Sequence, residues 1–304
     1  MRRTVDSMTD LCSVASQLRG EPMTATASRV ARWLLVEHSG AWGPESVPSG
    51  RMPVAVARSL ARTAADNQAR LLLLRRPAGQ PQSTGRWVYA VSSQPGAERI
   101  LARHVEVDAD LTDLVPPYAG PADGWDEVEG PLYLVCTHGR HDRCCAVRCR
   151  PVASALAARF PERTWECTHV GGDRFAANLV VLPEGLYLGR LEADDVVAVA
   201  EALAAGTLPA GRIRGRSSLP LPVQAAQHFA REASGRWGSA DLAMMSSTPG
   251  EADSWDVRLR GLDGPDVQVV VAYDRNVGGT HLLTCNTDEA KPVPAFRKVS
   301  LHDL

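Results

Sequence analysis

The sequence predicts an α/β protein: a central strand–helix–strand–hairpin–helix unit, an N-terminal α/β block before it and a small β-rich segment after it. Three observations predict this. Apolar runs of strand length alternate with Ala-rich stretches of helical spacing. Clusters of Gly, Pro and Ser punctuate them. Near the C-terminus only period-two alternation remains.

Residues 1–28 are polar and are expected to be partly ordered. A block over 29–128 follows. In it "VARWLLVEH" (30–38) reads as a strand, "SGAWGPESVPSG" as a turn and "MPVAVARSLARTAADNQAR" (52–70) as a helix. "LLLLRRP" and "RWVYAVSS" read as two further strands across a Gly/Pro/Ser hairpin loop, "AGQPQSTG". The acidic, Pro/Gly-rich stretch after residue 104 is the best internal boundary. The central unit spans 129–210. "GPLYLVC" (130–136) is a buried strand, and "PVASALAARF" (151–160) a helix with Pro151 in its first turn, where a missing N–H costs nothing. "RTWECTHV" (163–170) is a second strand and "AANLVVLPEGLYLGRL" (176–191) a hairpin. "EADDVVAVAEALAAG" (192–206) is a helix with an acidic start that stops at Gly206. This order is that of a thioredoxin-like α/β sandwich, which it shares with several other folds. The first half reads strand, loop, helix, strand, hairpin without repeating a motif, as a degenerate copy of the central unit or by chance. Residues 211–304 hold a helix within "RGRSSLPLPVQAAQHFAREASG", then "WDVRLRG", "DVQVVVAYD" and "THLLTCNT" as antiparallel strands.

Composition removes several function classes. The net charge is −2, which argues against a nucleic-acid or polyanion binder. No apolar run reaches the length of a membrane span, and the Arg-bearing start lacks the apolar core of a signal peptide. Seven cysteines, an odd number without a secretory signal, point to a reducing, cytoplasmic setting and against a disulfide framework.

Four of those cysteines fall in "VCTHGRHDRCCAVRC" (135–149), and "WECTHVGGDRF" (165–175) follows closely. A zinc knot and a thioredoxin-type redox pair both favour Cys-x-x-Cys, which the chain lacks. Cys144 and Cys145 are vicinal and close only a strained disulfide ring. The long loop from Cys136 to Cys145, with a separate later ligand group, suits a larger object such as a two-iron cluster. A structural or regulatory zinc site and a thiol-redox enzyme using Cys144, Cys145 or Cys167 stay open as alternatives.

"CTHGRHDRCCA" followed by "HVGGDRFAANLVVLPEGLYLGRL" resembles the sucrase/ferredoxin-like family, whose ferredoxin part is thioredoxin-like. "GEPMTATASRVARWLLVEHSGAWG" and the late "LLTC" extend the resemblance over most of the chain. Nothing here supports sugar hydrolysis; the resemblance implies a 2Fe–2S ferredoxin-like electron carrier without substrate turnover of its own. In the better understood relatives, two cysteines and then two histidines in an H-x3-H arrangement hold the cluster. By position these are Cys136, Cys145 and His169, with Asp173 where the second histidine stands. Asp173 binding through oxygen, or a third thiolate from Cys167, Cys144 or Cys149, completes the set.

Other residues receive plainer readings. Cys12, Cys149 and Cys285 read as ordinary buried thiols, and His138 and His141 as loop residues or hydrogen-bond donors behind the ligands. Gly171 and Gly172 make a turn that presents His169 and Asp173 together. Arg140, Arg143, Arg148, Arg150 and Arg174 crowd the motif. They offset an anionic centre and form a patch for a redox partner protein, a reductase or oxidase.

Overall fold

The computed structural model describes residues 11–45, 52–81, 84–120 and 122–304. The first ten residues of the polar segment, and parts of the two Pro/Gly loops read at 39–50 and 78–85, lie outside the described residues. A short helix α1 (Cys12–Leu18) opens the chain, and the sequence reading assigns none there: seven residues are too few to show a period. β1 (Arg32–Glu37), α2 (Val54–Asp66), β2 (Ala69–Arg75), β3 (Arg86–Ser92), β4 (Arg99–Val105) and the two-residue β5 (Asp126–Glu127) form the N-terminal block. Then come β6 (Leu132–Cys136), α3 (Arg143–Val147), α4 (Cys149–Arg159), β7 (Thr164–Cys167), β8 (Leu179–Leu182), β9 (Leu186–Leu188) and α5 (Val196–Ala204). β10 (Ile213–Arg216) and α6 (Leu221–Ser234) lead to β11 (Ala243–Pro249), β12 (Ser254–Arg260), β13 (Val267–Asp274), β14 (Thr280–His281), β15 (Lys291–Pro292) and β16 (Ala295–Asp303).

Ten strands join in one mixed sheet ordered β10-β9-β8-β6-β7-β2-β1-β3-β4-β5. The two halves of this sheet are built alike. β1 and β2 run parallel across the α2 crossover, with β3 antiparallel to β1 and β4 antiparallel to β3. β6 and β7 run parallel across α3 and α4, with β8 antiparallel to β6 and β9 antiparallel to β8. The repeated element order seen in the sequence is therefore a repeated topology. The halves meet where β2 and β7 pair antiparallel at their C-terminal ends, Leu74 opposite Cys167. One expectation is corrected here. β2 and β3 are not a hairpin, because β1 lies between them and bonds both.

β1, β6, β7 and β8 are buried on both faces, which is why they read as apolar runs rather than alternations. One core holds α2 against β1, β2 and β3, through Leu60, Leu34, Val36, Leu73 and Val88. A second holds α1, α4 and α5 against β6, β8 and β9. In the third the opposite faces of the two halves meet each other. Trp33 of β1 and Tyr187 of β9, far apart in strand order, have ring centroids 6.2 Å apart, so the sheet curls until β1 and β9 face one another.

The C-terminal unit is a four-stranded antiparallel sheet, β11-β12-β13-β16, with α6 packed on one face through Val223, Ala226 and Ala230. "THLLTCNT" does not form the strand expected of it: only Thr280 and His281 pair, with Pro292 and Lys291. The remainder is a loop that Asp142 holds. Its Oδ2 accepts from Thr284 Oγ1 at 2.5 Å and from the Cys285 N–H at 2.7 Å. Among the described residues no helix is long and apolar enough to cross a membrane.

Candidate metal centre

Cys136 is the last residue of β6, so its thiol stands where the sheet ends and the motif loop begins. Asp142 caps α3 by accepting the Cys144 N–H at 2.7 Å, and this places Cys145 in the first turn of that helix. Cys136 Sγ and Cys145 Sγ come to 3.6 Å, much too far for a disulfide near 2.05 Å. Two thiolates on one tetrahedral ion with metal–sulfur bonds near 2.3 Å stand roughly 3.8 Å apart. The pair is already spaced for a metal.

After β7 the chain turns through Gly171 and Gly172, both with positive φ, into a single 3-10 turn over Asp173–Phe175. A Cβ on Gly172 would lie 2.3 Å from Arg214 Nη2, so the turn needs glycine for room as well as for conformation. It brings His169 back onto Asp173, with Nδ1 3.0 Å from Oδ1. That approach is close enough for an ion pair but misaligned for a hydrogen bond, which leaves a buried ring nitrogen without a hydrogen-bond partner. Cys145 donates to Asp173 Oδ1 at 3.3 Å and so links the thiol pair to the His–Asp pair. The structure thus gathers Cys136, Cys145, His169 and Asp173. Their ligand atoms fall in two overlapping groups, Cys136–Cys145–His169 and His141–His169–Asp173, each within 4.8 Å.

His141, read as a plain loop residue, belongs to the second group. Its ring stacks on His169 with centroids 3.7 Å apart, and Nε2 lies 3.9 Å from Asp173 Oδ2. His138 is buried behind them. Its Nε2–H donates to the Gly43 carbonyl at 2.6 Å, which leaves Nδ1 to accept the His169 N–H at 3.3 Å. Burial holds this imidazole below its usual pKa, in keeping with a neutral ring that both donates and accepts. Trp42 meets His138 edge-on and is itself covered by Arg75 at 4.1 Å. The first half of the sheet therefore lends a lid, Trp42 and Gly43, to the motif of the second.

The other thiols lie elsewhere. Cys144, one residue before Cys145, points away to Cys12 and Cys285. Cys167 ends β7 beside Cys136 and shares the core cluster of Cys136 and Cys145, but its thiol is in neither metal-competent group. Cys149 is buried among apolar side chains.

The charge around the site differs from the expectation built on the motif arginines. Arg148 pairs with Glu192 and Arg174 with Glu21, while Arg140 and Arg150 face solvent. The cation nearest the turn is Arg214 on β10, 1% exposed. It donates to Gly171 O, Asn178 Oδ1, Thr26 Oγ1 and Thr26 O at 2.7–3.1 Å. Burial lowers its pKa to about 10, and it remains charged at neutral pH. Arg70 adds a bond to the His169 carbonyl at 2.8 Å.

In the metal-free chain these groups settle into a charge network. Contact with the Cys145 thiol, followed by the His169 imidazole, lowers the Cys136 pKa well below its usual range, against the penalty of burial. Burial disfavours the charged form of His169, but the Asp173 carboxylate and Cys136 outweigh it and push the pKa up to about 9. A raised folded-state value stabilises the fold fully below the ordinary histidine value of 6.5, and that contribution disappears as pH rises through about 9. Thermal unfolding of metal-free protein should therefore show the wild type losing its advantage over Asp173→Asn between pH 6.5 and 9.5. A gap that stays constant across this window contradicts the pairing.

A family model described as sucrase/ferredoxin-like matches residues 23–215, well over half the chain. No curated protein and no solved structure matches it.

Proposed function

The chain belongs to the sucrase/ferredoxin-like family, and we propose that it is a one-electron carrier whose 2Fe–2S cluster is held by Cys136, Cys145, His169 and Asp173. One observation carries this reading. The donors form two overlapping groups joined at His169, a soft thiol pair on one side and a nitrogen–oxygen pair on the other. A single tetrahedral ion needs one set of four ligands, whereas a two-iron cluster needs two pairs. The Nδ1 of His169 fits as well: it lies 3.0 Å from Asp173 Oδ1 but makes no aligned hydrogen bond, so the buried ring nitrogen is open to a metal.

Bound there, the cluster supplies reversible uptake of a single electron. The chain's own residues set the conditions. Cys136 and Cys145 bring negative charge, and Arg214 and Arg70 counter it from behind the Gly–Gly turn without being ligands. His138 fixes the backbone of His169, and Trp42 keeps water from that side. His169 and His141 are the partly exposed members, with 21% and 37% of their side chains accessible. A redox partner protein, a reductase or oxidase, meets the centre at this edge, where Arg140 and Arg143 are exposed. Cys144, Cys145 and Cys167 are all fully buried, which disfavours a thiol-redox enzyme that must present its nucleophile to a substrate.

Asp173 is the ligand that departs from the family arrangement, and substitution tests it. After anaerobic reconstitution, Asp173→Ala should hold several-fold less iron, because a buried donor is lost from the second pair. Asp173→His should keep the cluster and Cys167→Ala should match the wild type. A harmless Asp173→Ala with a destructive Cys167→Ala identifies a three-cysteine, one-histidine site instead.

A further inference from the structure

We propose that Cys12, Cys144, Cys285 and Asp142 form a second metal site, structural in kind, that takes zinc. The proposal does not rest on the electron-carrier reading and uses none of its four ligands. Cys12 Sγ lies 3.5 Å from Cys144 Sγ, and Cys144 Sγ lies 3.4 Å from Cys285 Sγ. With a carboxylate oxygen of Asp142, all the donor atoms fall within 4.8 Å of one another. No pair is bonded as a disulfide, and all seven cysteines are free thiols.

The three thiols come from distant parts of the chain, and each is held there by something other than a neighbouring sulfur. Cys12 opens α1 and packs with Leu11 in the core under α4 and α5. Cys144 sits in the first turn of α3. Successive residues of a helix point about 100° apart, so Cys144 and Cys145 serve opposite groups. Cys285 is delivered by the C-terminal loop, which Asp142 secures through Thr284 and the Cys285 N–H. The Cys12 N–H in turn points at Cys285 Sγ at 3.4 Å.

The donor set selects the ion. Three thiolates are soft ligands that favour zinc among common divalent cations, and a carboxylate oxygen is an accepted fourth donor in a closed tetrahedral site. Asp142 Oδ1 accepts one hydrogen bond, from the Cys144 N–H, and has a lone pair left. Bound zinc would tie the N-terminal helix and the C-terminal loop to the helix that carries Cys145. Cys12 and Cys285 both lie outside the span matched by the family model.

Elemental analysis of the full chain, purified anaerobically from zinc-containing medium, tests this. The wild type and Cys136→Ser should each carry about one zinc per chain, as a closed site does. Cys285→Ser and Cys144→Ser should carry less than about a tenth of that, since oxygen replaces a soft donor. Both should keep whatever visible absorbance the wild type shows. A wild type that holds no zinc and takes none up from added zinc chloride overturns the proposal. So does zinc that survives Cys285→Ser but is lost in Cys136→Ser, which would place it in the other centre. Should the variants fail to fold, the wild type decides alone. Cys12, Cys144 and Cys285 should resist alkylation until a zinc chelator is added, mapped by peptide mass. Alkylation unaffected by the chelator, or a disulfide among the three, refutes the site.

Discussion

Cys136→Ser and Cys145→Ser should each strip the chain of its visible colour and lower its iron content about tenfold or more, since a hard hydroxyl replaces a soft thiolate. Neither site can compensate. Both thiols are buried, Cys144 faces Cys12 and Cys285 in the opposite group, and Cys167 is in neither metal-competent group. Cys149→Ser is the matched control, equally buried and four residues from Cys145, but outside both metal-competent groups. It should keep its spectrum. If Cys149→Ser bleaches the protein and Cys145→Ser does not, the ligand register is wrong.

Arg214→Ala should be the most destabilising single change near the site. The guanidinium is buried and serves four acceptors, Gly171 O, Asn178 Oδ1, Thr26 Oγ1 and Thr26 O. An acceptor left unpaired in the interior costs about 1–3 kcal/mol. Some relaxation and water entry reduce the total, so a loss of roughly 3 kcal/mol is expected. In a chain of this size, at about 2.1 cal/mol/K of unfolding entropy per residue, that lowers the unfolding midpoint by about 5 °C. Arg214→Lys should recover little, because one ammonium cannot reproduce a planar five-donor fork. The Gly171–Gly172 turn loses its support at the same time, so iron retention should fall with stability. A midpoint within about 1 °C of the wild type, well inside that scale, contradicts the role given to Arg214.

The central unit was legible because its signals are local. β6, α4, β7 and the β8–β9 hairpin are short apolar or Ala-rich runs set off by Pro and Gly. His169 and Asp173 are four residues apart across a Gly–Gly turn, and Cys136 and Cys145 sit at the two ends of one loop. What the sequence did not reveal depends on distance along the chain or on exposed strands. β11 and β16 are largely polar and solvent-facing, so apolar alternation does not mark them. The place of β1 between β2 and β3 is a matter of topology that no local pattern encodes. Arg214 looked like one arginine among many, and its burial follows only from β10 joining the sheet edge. Cys12 and Cys285 looked like isolated thiols because 132 and 141 residues separate them from Cys144. His141 was hidden by the loop around it. Its stacking on His169 and its approach to Asp173 mark it as part of the centre.

The central claim is that the Cys136–Cys145–His169–Asp173 centre holds two irons bridged by sulfide. Iron and acid-labile sulfide analysis of anaerobically purified protein tests it most directly. The account predicts a red-brown protein with about two irons and two sulfides per chain, both lost in Cys136→Ser. A colourless protein that cannot be reconstituted with iron and sulfide, and whose Cys136-dependent metal is zinc, contradicts it.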